Sequence, residues 1–299
     1  MLRRSFIKKS LLSSSACLVA PTLLSFNQKK TVHLTILHTN DTHSHIDPFP
    51  VNDPKYPGKG GVVKRYEFIK EVRNEKKNVL LLDAGDMFQG TPFFNKYGGE
   101  LEIKLMSQMG YDASCIGNHE FDGGLNGLKK ALSFANFPLI CANYDFSKTE
   151  MNGLSIPHKI FEFEGIKVGV FGLGVQLKNL VPDKLFLETQ FLDPIEIAKE
   201  QVKILQQKKC AFIICLSHLG YEYKDDKISD KVLANKTKGI DLIIGGHTHT
   251  FLHEPTLITN LENKTTAITQ VGWAGVQLGR IDVILEKKMF LKNQSIEII

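Results

Sequence analysis

The sequence predicts an α/β fold, and three observations carry that expectation. Short apolar runs, NVLLLDAGD (78–86), CAFIICLSH (210–218) and GIDLIIGGHTH (239–249), alternate with stretches of helical period. Each run is continuously apolar and stops abruptly at Gly, Asp or His, as in strands buried on both faces. The 299 residues are 42% hydrophobic and 23% charged, ordinary for a soluble globular protein with a substantial core. No internal repeat, low-complexity run or linker interrupts the alternation, so one main domain is expected over residues 31–290.

Residues 1–26 stand apart. MLRRSFIKKS is basic and LLSSSACLVAPTLLSF is uncharged and apolar, the layout of an export signal. Arg3-Arg4 followed by Phe6, Ile7 and Lys8 is similar to a twin-arginine signal, which implies an exported, periplasmic protein. Ala16 precedes Cys17, but Ser14 fits a lipobox poorly, and lipid anchoring there is not expected. After them, TVHLTILH (31–38) reads as a strand and a Pro/Gly-rich loop leads to a helix over 62–76. In that helix Val62, Tyr66, Ile69 and Val72 fall on one face. A buried strand ending at Asp86, a helix over 99–109, DASCIGN, a helix over 124–135 and PLICAN follow. KIFEFEGIKVGVFGL reads as a hairpin about Glu164-Gly165. A helix over 194–208, a strand ending at His218, a helix over 227–236 and a strand ending at the GGHTH segment come next. The stretch TTAITQVGWAGVQLGRIDVILEKK reads as antiparallel strands.

Charge excludes little and suggests no polyanionic partner. The formal net charge is +5, and Arg3, Arg4, Lys8 and Lys9 carry four of those charges, leaving about +1 for residues beyond the signal. Neither nucleic acid nor a membrane surface is therefore implied as a partner, and no apolar run beyond the signal is long enough to span a bilayer. Cys115, Cys141, Cys210 and Cys215 sit in apolar strand-like settings and read as buried free thiols.

The polar residues gather where apolar runs stop: Asp41 and His43, Asp83 and Asp86, Asn118 to Glu120, His218, and His247 with His249. In open α/β sheets ligands bind beyond the carboxyl ends of strands, so these distant residues are expected to share one crevice. Asp41 and His43 are two apart, as are His247 and His249, so in extended backbone each pair would point the same way. Imidazole, carboxylate and carboxamide donors without cysteine suit Mn²⁺, Zn²⁺ or Fe. Seven donors exceed one tetrahedral ion and match two ions sharing a carboxylate. Two metals about 3.5–4 Å apart are a recurring device for phosphoryl displacement.

Five ordered motifs carry a family resemblance. D-x-H (Asp41, His43), G-D-x-x-x-G (Gly85, Asp86, Gly90), G-N-H-E (117–120), a lone strand-end His218 and G-G-H-T-H (245–249) resemble the motifs of calcineurin-like metallophosphatases. GNHEFDGG, ICANY, LSHLGYE and GWAGVQLGRID look like the 5′-nucleotidase branch, over about residues 32–285. The resemblance implies a four-layer α/β/β/α sandwich of two mixed sheets, which alternation alone does not distinguish from a three-layer doubly wound sheet. It implies two divalent ions (Mn, Zn, Mg or Fe), one held by Asp41, His43, Asp86 and His249. Asp86, Asn118, His218 and His247 would hold the other, with Asp86 bridging and a bridging hydroxide as nucleophile. His119 would face the substrate as proton donor, oriented by Asp122; imidazole near neutral pH with a carboxylate partner suits that role.

Other residues receive structural readings. Asp83 and Glu120 are expected to support the ligands or cap helices rather than bind. His38 is read as a core histidine, His33, His45, His158 and His253 as solvated or structural, and Trp273 as packing. The expected function is phosphoester hydrolysis, with a nucleotide the first substrate choice. A 2′,3′-cyclic nucleotide or a sulfur ester is an alternative, as is a catalytic subunit served by a separate specificity chain. Relatives of the 5′-nucleotidase branch carry a second, C-terminal specificity domain, which is expected to be absent from a chain ending at Ile299.

Overall fold

The computed structural model describes residues 31–285 and the backbone of 289–297. The signal-like segment 1–26, with Cys17, lies outside the described residues. In chain order the first elements are β1 (His33–Thr39), α1 (Val62–Glu75), β2 (Val79–Asp83), α2 (Pro92–Tyr97), α3 (Glu100–Met109) and β3 (Ala113–Cys115). A 3₁₀ turn at His119–Phe121 precedes α4 (Gly124–Leu132), β4 (Leu139–Ile140), β5 (Tyr144–Asp145), β6 (Ser155–Ile156), β7 (His158–Phe163) and β8 (Ile166–Leu173). Then come α5 (Asp183–Phe186), β9 (Gln190–Phe191), α6 (Pro194–Gln207), β10 (Cys210–Ser217), α7 (Asp230–Lys236) and β11 (Leu242–Gly245). β12 (Thr256–Thr259), β13 (Thr265–Thr269), β14 (Gln277–Ile284) and β15 (Met289–Glu297) complete the series.

Two mixed sheets result. One runs β15-β14-β1-β2-β3-β4-β6 and the other β12-β13-β11-β10-β8-β7. In the first, β1, β2, β3, β4 and β6 are parallel and β14 and β15 pair antiparallel at one side; in the second, the central strands are parallel and both edge strands antiparallel. The side-chain period of two then divides the core into layers. Leu80 and Leu82 of β2 meet Ile214, Leu216, Val168 and Val170 between the sheets. Leu81 instead faces α1, α3 and α4, packing with Ile69, Ile103 and Leu128. On the far side, Phe171, Ile213 and Cys215 pack against Ala198, Val202 and Leu205 of α6 and Leu233 of α7. The order is therefore helix, sheet, sheet, helix. Fully burying such aliphatic side chains stabilises by about 1.5–3 kcal/mol each before entropy is counted.

Local chemistry sets the ends. Asp193 caps α6 by accepting from the amides of Ile195 and Glu196, with Pro194 in the first turn. Ser229 accepts from Val232 N and starts α7, three residues later than the pattern predicts. Glu164 and Gly165 both adopt positive φ (52° and 89°), the two-residue turn that closes the β7–β8 hairpin.

Two expectations need correction, and one short helix adds to the predicted pattern. Tyr66 is 43% exposed, and Arg65 takes its place on the buried face of α1 at 3%. The segment before α3 is broken by left-handed Gly98 and Gly99, so α2 is a separate helix. The closing strands are not one antiparallel run: β13 lies parallel to β11 in the second sheet, while β14 crosses to pair with β1. Among the described residues, no helix is long and apolar enough to cross a membrane.

Candidate metal centre

Every parallel strand that leads into the site ends just short of it. Asp41 and His43 follow β1, Asp86 follows β2, Asn118 and His119 follow β3, His218 follows β10, and His247 and His249 follow β11. All seven expected donors come to this one edge. The ligand atoms of Asp41, His43 and His249 lie within 4.8 Å of one another, as do those of Asp86, His218 and His247. Asp86 stands between the groups: its Oδ2 is 2.9 Å from His218 Nε2 and 3.9 Å from His43 Nε2.

The pairs do not point together because the backbone is extended, as the spacing suggested. Asp41, His43, Asp86, His247 and His249 all adopt left-handed backbone, with φ between 46° and 71°. Non-glycine residues rarely take this conformation, and its clustering marks a functional turn. Close backbone approach completes the geometry: a Cβ on Gly117 would collide with Asp86 Oδ1.

The donor set fits divalent cations. His218 Nδ1 is 2.7 Å from Ala84 O and His43 Nδ1 is 3.2 Å from Phe88 O, which assigns the N–H to Nδ1 and frees each Nε2 lone pair for the pocket. His43 Nε2 and His249 Nε2 face one another at 3.0 Å, with Asp41 Oδ1 3.4 Å from the latter. Buried Asn118 Oδ1 and His218 Nε2 have no hydrogen-bond partner, although the latter lies close to Asp86. Buried atoms of this kind require a partner.

Electrostatics follow from burial and crowding. Burial lowers the pKa of His43, against the pull of Asp86 and Asp41, and lowers His247 to about 4. Both are thus neutral, the form that ligates. Burial also opposes charge on His218, but Asp86 and Asp41 outweigh it and raise its pKa to about 10, so a cation binding there would displace the Nε2 proton and take its place beside the carboxylates. Burial would raise Asp86, yet His218, His43 and His119 hold it below the usual carboxylate range.

His119 differs from the ligands. Its amide donates to Asp86 Oδ1 at 2.8 Å and its Nδ1 is 2.8 Å from Asp122 Oδ2, leaving Nε2 free. A ring nitrogen of His119 lies within 4.8 Å of ligand atoms of His43 and Asp86. Burial lowers its pKa, but Asp122 and Asp86 reverse the sign and the net shift is upward.

The supporting residues are wired into the turns. Glu120 is buried and accepts from the amides of Asp86, Met87 and Gly117 at 2.6–2.9 Å. Burial raises its pKa to about 7. Asp83 accepts from Thr39 Oγ1, Ser114 Oγ and Gly85 N. His38 is buried beneath the site, His45 stacks on Phe49 at 4.8 Å, and Trp273 stacks on the ring of His249 at 5.6 Å and 5°. His158 bonds Gln201, while His33 and His253 are exposed. Sequence reasoning missed two residues. Asn40 Nδ2 donates to Asp41 Oδ2 and Gly272 O, both at 2.6 Å. Buried Gln270 donates to Gly246 O at 2.6 Å and accepts from Thr248 Oγ1 and Thr250 N, clamping the turn that carries His247 and His249. Asn40 immediately precedes the first motif, whereas Gln270 had no signal beyond a polar residue at a strand end.

A two-sheet sandwich with an imidazole–carboxylate pocket beside a His–Asp pair is the architecture of a metal-dependent hydrolase. The family model described as calcineurin-like phosphoesterase matches residues 34–251, and the chain belongs to that family of metal-dependent phosphoric ester hydrolases. It is 35% identical over 279 residues to the snake venom 5′-nucleotidase of Gloydius brevicauda, covering 85% of this chain and 46% of that one. The 5′-nucleotidase precursor from Thermus thermophilus superposes with a TM-score of 0.82 at 34% identity, over 89% of this chain and 55% of that one. Calcineurin-like phosphoesterase YfkN from Bacillus subtilis gives 0.70 at 29% identity, over 89% and 90%. The chain thus spans about half the length of the nucleotidases it matches.

Proposed function

We propose that this domain hydrolyses phosphate monoesters, with nucleoside 5′-phosphates as the substrate class. The observation that carries the reading is the clustering of Asp41, His43, His218, His247 and His249 about Asp86, directly beside the His119–Asp122 pair. The relatives named as 5′-nucleotidases support the choice of nucleotide. Asp41, His43, Asp86 and His249 would hold one divalent ion, and Asp86, Asn118, His218 and His247 a second. Such ions, when bound, supply an acidified water and neutralise charge on the phosphoryl oxygens.

The chain's own residues do the rest. Asp122 holds His119 with Nδ1 occupied, so Nε2 presents the proton to the departing ester oxygen. The raised pKa of His119 keeps that proton in place near neutral pH. Glu120 and Gln270 fix the turns so that the donors do not reorganise during turnover. Residues 1–26 would direct export by the twin-arginine route, which places the enzyme in the periplasm.

The test is phosphate release from 5′-AMP, an aryl phosphate and a 2′,3′-cyclic nucleotide by Mn²⁺-loaded protein. AMP turnover is expected, falling about 10²–10⁴-fold in His119→Ala with metal affinity unchanged. Absence of monoester cleavage by protein carrying two bound ions would overturn the reading.

A further inference from the structure

Beneath the turn that carries His43 lies a small cavity, with about 20 Å³ of room, walled in part by Thr42, Ser44, His45, Arg65, Glu102 and Tyr111. Four of these side chains are deeply buried: Glu102 of α3 is 4% exposed, Arg65 of α1 and Tyr111 3% each, and Ser44 1%. Both Glu102 carboxylate oxygens, Arg65 Nε and Ser44 Oγ lack a hydrogen-bond partner within the protein. A buried carboxylate with neither oxygen satisfied is a costly arrangement. Four such atoms, from three separate segments around one cavity, point to a shared polar occupant.

Size and charge identify it. A cavity of this size holds about one water molecule. Arg65 disfavours a cation there and Glu102 disfavours an anion. The orphan atoms comprise two donors, Arg65 Nε–H and Ser44 Oγ–H, and two carboxylate acceptors. A neutral molecule with two donors and two acceptors matches them one for one. We propose that an ordered water occupies this cavity, accepting from Arg65 and Ser44 and donating to both oxygens of Glu102.

The water would act on the metal loop through Ser44, which adjoins His43. Ser44 N donates to Met87 O at 3.0 Å, Thr91 Oγ1 donates to Ser44 O at 2.7 Å, and His43 N donates to Asp86 O at 3.0 Å. Ser44 is therefore tied to the ligand-bearing turns that follow β1 and β2. Through the water, α1 and α3 brace those turns from behind. Glu102 and Arg65 are positioning residues; neither is placed to touch substrate or ion.

The test combines crystallography with a Mn²⁺ titration followed by electron paramagnetic resonance, neither of which depends on the substrate. A water peak is expected within about 2.7–3.2 Å of all three side chains in the full protein. Glu102→Leu should lose the peak and bind Mn²⁺ about tenfold more weakly. Glu102→Gln, which retains an acceptor, should stay within about threefold of wild type. If the leucine variant fails to fold, Ser44→Ala keeps both charges and should weaken Mn²⁺ binding by about threefold. A dry cavity with Glu102 and Arg65 in direct contact would overturn the proposal. So would wild-type Mn²⁺ affinity in folded Glu102→Leu or, failing that variant, in Ser44→Ala.

Discussion

The two sheets contribute unequally to the pocket. The first supplies both acidic donors, Asp41 and Asp86, with His43, Asn118 and the His119–Asp122 pair. Its turns are pinned by buried acids, with Glu120 accepting from three amides at 2.6–2.9 Å. The second supplies only imidazoles, His218, His247 and His249, and holds the last two by the neutral amide of Gln270 and the stacked ring of Trp273. His249 is 40% exposed, whereas Asp41 is fully buried. The carboxylate charge thus sits on one sheet, and the second would add imidazole donors from a more open side. Ions bound between them would join the sheets, so binding and folding should be linked.

The largest break comes from the residue between the two groups. Asp86→Asn removes the shared carboxylate charge and should lower phosphoester turnover on the order of 10³-fold, measured at saturating Mn²⁺. Turnover near wild type would mean that Asp86 is not shared. Next, Glu120→Gln should weaken Mn²⁺ binding about 10–100-fold, and Gln270→Leu by about tenfold. Equal losses in a calorimetric titration would show that the two sheets are equally preorganised, and the asymmetry between them would then be one of charge alone.

Smaller effects come from protons. His119 is a donor only below its pKa, and Asp122 raises that pKa. Asp122→Asn should therefore move the alkaline limb of the kcat/KM profile to lower pH, by about one unit. A limb that stays in place would dissociate His119 from it. His38, beneath the site, titrates at about 3 because burial disfavours its charged form, against an ordinary 6.5. Between those values the unfolded chain binds a proton that the folded one refuses, so stability should fall as pH drops from about 6.5 towards 3. In chelator, His38→Gln should show a flatter dependence of Tm on pH over that range.

Much of this was legible because the chemistry is local and the folding rule general. Donor types at abrupt strand ends identify a crevice before any contact is known, and apolar runs reveal buried strands. What escaped needed long-range contacts. Tyr66 fits the apolar stripe of α1, but Arg65 turns inward because Gly275, far along the chain, leaves room for its guanidinium. Gln270 matters only because β13 runs beside β11, a parallel pairing that an alternating sequence conceals. The i, i+2 spacing of ligand pairs drew attention to the right residues through extended geometry, while the structure achieves the same convergence through tight turns.

Those turns also restrict heredity. A left-handed backbone tolerates Asn, Asp and His better than branched or bulky side chains. At Asp41, His43, Asp86, His247 and His249, a lineage can exchange one short donor for another with little conformational penalty, whereas threonine or valine would strain the turn itself. The preferred metal could therefore drift by single exchanges among three residue types while the surrounding scaffold stays unchanged.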